Sequence, residues 1–313
     1  MRTASLLLIV VSLLMLGALL PGCGGNTGPA GTAAVAPASI APRIAFSRYP
    51  ASSWATSDIW TVKGDGTGPL NLTHGVWHNW APAWSPDSSK IVFVSNRKSA
   101  SDLYTMNADG TGVTRVTFTG NLKNHPRWCP AGHKIVFIAN VSANWHLCVI
   151  KPNGTGYQQL TTGYFADGRP GWNPAGDALV FDSTRKSPFA ADLFRIGVNG
   201  TGIQRLTFGP NESREACWSR ELNRLVFAST RKLAWNLYSM KADGTDLKRL
   251  TFITNATGAD HDPWWSPDSS RIALSSTRKG VAQIFSMKAD GTDMKRLTNA
   301  DYEDTDPCWG RVP

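Results

Sequence analysis

No stretch of the folded part of this sequence carries the 3.6-residue apolar spacing of a helix, which argues against helical bundles and α/β folds. The chain also has no Gly-x-Ser-x-Gly elbow, no Cys-x-x-Cys, no His-Glu-x-x-His and no phosphate loop. With them go the serine-hydrolase, thiol-redox, zinc-peptidase and nucleotide-hydrolysing classes, and no complete catalytic machinery is visible. Cysteine is scarce, five in 313 residues. Cys129, Cys148, Cys217 and Cys308 fall on strands of different repeats or on non-adjacent strands and are expected as buried free thiols, not as a disulfide framework. Acidic residues are the minority charge: 23 Asp and Glu stand against 32 Lys and Arg, a formal net charge of +9.

The first twenty residues hold one charge, Arg2, followed by the apolar run from Leu6 to Leu16. That pattern is a secretory leader, too short for a stable membrane span. The run ends in Leu20-Pro21-Gly22-Cys23, which resembles the bacterial lipobox and implies lipidation of Cys23. The expected organisation is a signal peptide over 1–22, a lipidated cysteine with a Gly/Ala/Pro tether over 23–42, and one folded domain over 43–313. Gly24, standing where some inner-membrane lipoproteins carry a retention Asp, leans the expected location towards the outer membrane. An exported chain makes nucleic acid the wrong partner for the positive charge, and anionic headgroups or acidic envelope polymers suit it better.

What the chain has in abundance is a repeat. Trp84-Ser-Pro-Asp, Trp128-Cys-Pro-Ala, Trp172-Asn-Pro-Ala, Trp218-Ser-Arg-Glu, Trp265-Ser-Pro-Asp and Trp309-Gly-Arg recur at the spacing of four-stranded blades. The first five lead into apolar runs such as Ile91-Val-Phe-Val, and a sixth run begins at Ile44. A further β-prone run follows in each repeat, then Asp-Gly-Thr or Asn-Gly-Thr, then a short segment ending in Leu-Thr or Val-Thr. Asp-Gly and Asn-Gly between such runs signal tight hairpins. Six copies predict an all-β, six-bladed propeller with four-stranded blades. The domain opens on a second strand and ends on a first, so the C-terminal strand is expected to complete the N-terminal blade and remove the free edges.

These residues resemble the WD40-like repeat of the TolB β-propeller family: Pro-x-Trp-Ser-Pro-Asp, Ile-Val-Phe-x-Ser-x-Arg, Leu-Tyr-x-Met-x-x-Asp-Gly and Arg-Leu-Thr, from Arg43 to Pro313. The resemblance implies a propeller used for scaffolding or partner binding. TolB itself carries an α/β domain ahead of its propeller and is a soluble periplasmic protein. Here a tether stands in that place, so the expectation is a TolB-like propeller without the full Tol–Pal role.

Positions filled alike in every blade are explained by the blade; positions that differ on an exposed face are where a ligand can be read. Six tryptophans at one inner-strand position belong to the first kind. So do the strand-end arginines Arg97, Arg185, Arg231 and Arg278, expected to pair with acids on neighbouring loops, while the lysines beside them form a broken basic ring. The second kind lies just before the inner-strand proline: Ala81, His125, Arg169, Glu215, Asp262 and Asp306. Two residues earlier stand Asn79, Lys123, Asp167, Ser213, Asp260 and Asp304. The reading is a channel mouth with an acidic sector (Glu215, Asp260, His261, Asp262, Asp304, Asp306) facing a basic one (Lys123, His125, Arg169). Trp77, Trp80, Trp145, Trp235 and Tyr302 are placed in loops on that face.

The function expected from this is non-enzymatic binding of an envelope protein or glycan at the mouth, by a monomer tethered through Cys23 and needing no cofactor. One alternative is a divalent cation held by the mouth carboxylates and His261, supporting cleavage of an acidic polysaccharide. Another is a purely structural part that uses the blade sides.

Overall fold

The structure is a computed structural model, and it describes residues 42–311 apart from 51–55, 99, 255–257 and 300. The leader, Cys23 and most of the tether lie outside the described residues. Twenty-four strands form six antiparallel sheets of four. Inner strands are Tyr302–Trp309 in blade 1, Asn79–Trp84 in blade 2, Lys123–Trp128 in blade 3, Asp167–Trp172 in blade 4, Ser213–Trp218 in blade 5 and Asp260–Trp265 in blade 6. Successive inner strands contact one another around the ring, and blade 6 meets blade 1.

Blade 1 joins the two ends of the domain as expected. Arg43–Pro50 pairs with Tyr302–Trp309 from Ile44↔Trp309 to Pro50↔Tyr302. At Arg48↔Asp304 the register pair is also a two-pronged ion pair, at 2.7 and 2.8 Å.

Three repeated sequence features have a direct physical cause here. The second-strand aromatics Phe46, Phe93, Phe137, Phe181 and Phe227 are fully buried and fill the space between blades. The outer strands are only two residues long, and the threonine after each extends the ladder with its side chain: Thr117 Oγ1 accepts the Leu103 N–H at 3.0 Å, and Thr161, Thr207, Thr251 and Thr298 do the same in their blades. The turn glycine is needed twice over. Gly110 has φ +89°, and a Cβ there would lie 2.6 Å from the Leu72 carbonyl oxygen of the preceding blade. Cys129, Cys148, Cys217 and Cys308 are buried free thiols.

Candidate functional site

Each inner strand carries a bulge at the residue before the proline position. Ala81, His125, Arg169, Glu215, Asp262 and Asp306 all have positive φ, from 33° to 64°. The pairing register slips beside each of them, as between Arg214 and Cys217 in blade 5. For non-glycine residues this conformation costs on the order of 1 kcal/mol or more each. A bulge re-aims one side chain while the rest of the strand keeps its faces. Four of the six residues, His125, Arg169, Glu215 and Asp262, line one compartment of the central channel.

Arg169 organises this compartment. Its guanidinium extends from blade 4 to the Glu215 carboxylate of blade 5, and bonds Asp262 Oδ1 of blade 6 at 2.7 Å. Glu215 also accepts the Asp262 backbone N–H at 2.7 Å and lies 3.2 Å from His261 Nδ1. Asp262 Oδ2 accepts the Ser275 hydroxyl at 2.9 Å. Arg169 of the basic sector thus reaches directly into the acidic one. Arginine is long enough to span the narrow channel, and the low dielectric there favours direct pairing.

The residues two positions earlier do something else. Asp260 and Asp304 are fully buried and lie outside the channel lining. Asp260 receives two hydrogen bonds from Arg278 at 2.7 Å, Asp304 receives Arg48, and Asp167 receives Arg185 at 2.8 Å. Arg97 and Arg231 make the same reach to Asn79 and Ser213. The strand-end arginines thus pair with the start of their own blade's inner strand, not with a neighbouring loop. Blade 3 has Val141 at the strand-end position, and its Lys123 is buried, 3.4 Å from Asp102. Asp260 and Asp304 are accordingly fastenings within their blades, and Lys123 ties blade 3 to the third strand of blade 2.

Among the described residues, no group of three His, Cys, Asp or Glu side chains is placed to hold a metal ion. The cation already among the mouth carboxylates is Arg169.

Residues 43–222 and 216–311 match the TolB beta propeller domain. The chain belongs to that family. Among solved structures, this TolB-type propeller is similar to TolB from Acinetobacter baumannii, at 19% identity and a TM-score of 0.75 over 87% of this chain and 67% of that one. It is similar to a putative TolB from Agrobacterium tumefaciens, at 16% identity and TM-score 0.66 over 87% and 100% of the two chains. An oligogalacturonate lyase in complex with manganese also matches, at 14% identity and TM-score 0.53 over 82% and 72%. At these identities the likeness is one of fold. Among curated proteins nothing matches.

The propeller's channel also uses residues that comparison of the two mouth positions passes over. Arg127, two residues past the bulge in blade 3, stacks its guanidinium on the Trp264 ring of the opposite blade 6, 4.5 Å from the centroid. Both residues line the mouth compartment and the cavity beyond it, so they divide the channel in two. The signal was present two residues further along each repeat, where Ala83, Arg127, Gly171, Cys217, Trp264 and Cys308 share no chemistry. Asp182 on the second strand of blade 4 is a further addition, its carboxylate accepting the Glu215 N–H at 3.2 Å. Of the five aromatics expected in loops only Trp77 lies outside a strand, since Trp80, Trp145, Trp235 and Tyr302 belong to strands. Trp77 and Tyr302 are exposed, whereas Trp80 donates to Asn124 at 2.9 Å under a stacked His78. Trp235 packs 4.9 Å from the His261 ring.

Burial and charge move these groups in different directions. Burial works against the Glu215 carboxylate, but Arg169 and then His261 hold it far below its usual range. Burial likewise opposes the charged His261 ring, and the Glu215 carboxylate overrides it, so the imidazole pKa is raised. Burial, then Arg169 and Arg127, push His125 well below an ordinary histidine. Asp306 is pushed up to about 6, by burial first and then by Asp262. Because its folded pKa exceeds the ordinary 3.8, folding takes up a proton between about pH 4 and 6, and stability falls as pH rises through that window. Asp306→Asn is expected to flatten that slope in urea titrations. It should also stabilise the protein at pH 7 by on the order of 2 kcal/mol.

Proposed function

We propose that this protein is a non-catalytic binding propeller of the bacterial cell envelope, anchored through a lipid on Cys23, that grips a protein or glycan with its mouth face. The observation that carries this reading is a crown of exposed apolar side chains around the mouth. The loops that enter each inner strand, and those that join second to third strands, lie at the mouth end of the propeller. They hold Tyr164, Phe189 and Leu233 at relative exposures of 100%, 89% and 101%. Phe118, Phe208 and Phe252, on the loops that follow the outer strands, are exposed as well, each backed by an arginine of its own blade 4.8–5.0 Å from the ring.

Leu233 is the most telling of these. It has φ +72°, a conformation that favours glycine or asparagine, and it packs on nothing in return. Contiguous apolar surface rimmed by polar groups marks interaction faces. The exposed Lys98, Lys186, Lys232 and Lys279 supply such a rim and add a preference for an acidic partner. The mouth's ionisable groups bond one another, which suits recognition more than turnover.

The test is capture of partners from a detergent-solubilised envelope extract by the full chain and by a Tyr164→Ser, Phe189→Ser, Leu233→Asn variant. The variant should keep the wild-type melting temperature and lose a partner that the wild type retains. Identical partners on both proteins would remove the crown as the binding surface and turn attention to the blade sides.

A further inference from the structure

The far end of the channel is chemically the reverse of the mouth. Beyond the Arg127–Trp264 stack the channel widens into a cavity of about 110 Å³ that opens at the end where the inner strands finish. The six repeat tryptophans and Trp264 wall it. Among the described residues three arginines line it, Arg127, Arg220 and Arg311, and no Asp or Glu does.

Two of these arginines break the repeat. Four blades place a proline two residues after the ring tryptophan: Pro86, Pro130, Pro174 and Pro267. Blades 5 and 1 place Arg220 and Arg311 at that position instead. The nearby acids of blades 2 and 6 do not neutralise them. Asp87 is held by the hydroxyls of Ser85 and Ser89, and Asp268 by those of Ser266 and Ser270. The ring tryptophans alone are explained by packing, but repeat-breaking cations around an acid-free aromatic cavity are not.

Indole walls favour a flat ring against their faces, and a guanidinium favours a carboxylate that takes two hydrogen bonds at once. At about 110 Å³ the cavity is somewhat smaller than the roughly 150 Å³ that accepts benzene, so it limits the guest to one ring, with the carboxylate at the open end. We propose that this cavity binds an aromatic carboxylate of single-ring size, its ring among the tryptophans and its carboxylate towards Arg220 and Arg311. Arg127 closes the inner end and keeps this site separate from the mouth.

The test uses the full chain and 4-fluorobenzoate, with binding followed by ¹⁹F NMR titration and calorimetry. 4-Fluorobenzamide is the uncharged control with the same ring, and cyclohexanecarboxylate is the control for the ring. The wild type should bind 4-fluorobenzoate in the millimolar range or tighter, and each control about tenfold more weakly. Arg220→Gln with Arg311→Gln should weaken 4-fluorobenzoate by about tenfold and leave the benzamide unchanged. Both substitutions lie outside the strands, and a thermal melt checks the fold. Should the double variant not fold, the preference of the wild type for benzoate over benzamide still decides the matter. Absence of binding at millimolar concentration, equal affinity for benzoate and either control, or unchanged affinity in the folded double variant would each overturn the proposal.

Discussion

Ending the chain after Asp301 will abolish cooperative unfolding of the propeller. The residues removed form the inner strand of blade 1, paired along Arg43–Pro50 from Ile44↔Trp309 to Pro50↔Tyr302. Removal empties the buried sites of Cys308 and Trp309 and leaves Arg48 without Asp304. Loss of one buried tryptophan costs about 3–5 kcal/mol, and loss of one partner from a buried ion pair a similar amount. Those two terms together approach the whole stability of an ordinary domain, about 5–15 kcal/mol. The cut also uncovers an unpaired strand edge in blade 1, which invites aggregation. Tryptophan fluorescence against urea, with size-exclusion chromatography, reads both effects. A shortened chain that stays monomeric and melts within a few degrees of the full one would mean that three strands suffice for blade 1.

Arg169→Met is expected to cost about 3–5 kcal/mol at pH 7, because it leaves Glu215 and Asp262 facing each other without their shared cation. Asp306 is already pushed up to about 6 with the arginine present. Without it the neighbouring carboxyls should rise as well. A carboxyl whose folded pKa is raised weakens the fold as pH climbs through that value. The variant should therefore be closest to wild type near pH 4–5 and fall behind steeply towards neutrality. Denaturant titrations of both proteins across that range measure it. Equal stability at pH 7, or a deficit that does not change with pH, would show that Arg169 is not the counter-ion of the mouth.

Much of the fold is legible in the sequence because the blade is built from short-range signals repeated six times. The Asp-Gly-Thr turns, the strand-closing threonines and the ring tryptophans all stand where the repeat puts them. The phase of the repeat is enough to pair Tyr302–Trp309 with Arg43–Pro50. The site is less legible, for a reason that Asp260 and Asp262 show. They are two residues apart, carry the same group and enter the same channel strand. Asp260 meets Arg278, a residue 18 positions along the chain that bonds it twice at 2.7 Å. Asp262 sits on the bulge at φ +52° and reaches the Arg169 guanidinium 93 positions away.

The sequence by itself determined blade number, strand order, closure and the set of inner-strand positions that differ between blades. Those features rest on contacts within a blade or between consecutive ones, and repetition makes them readable. Only the tertiary structure decided which charges are fastenings and which meet in the channel. That choice depends on a backbone bulge and on distances between blades far apart in the chain, and side-chain type records neither.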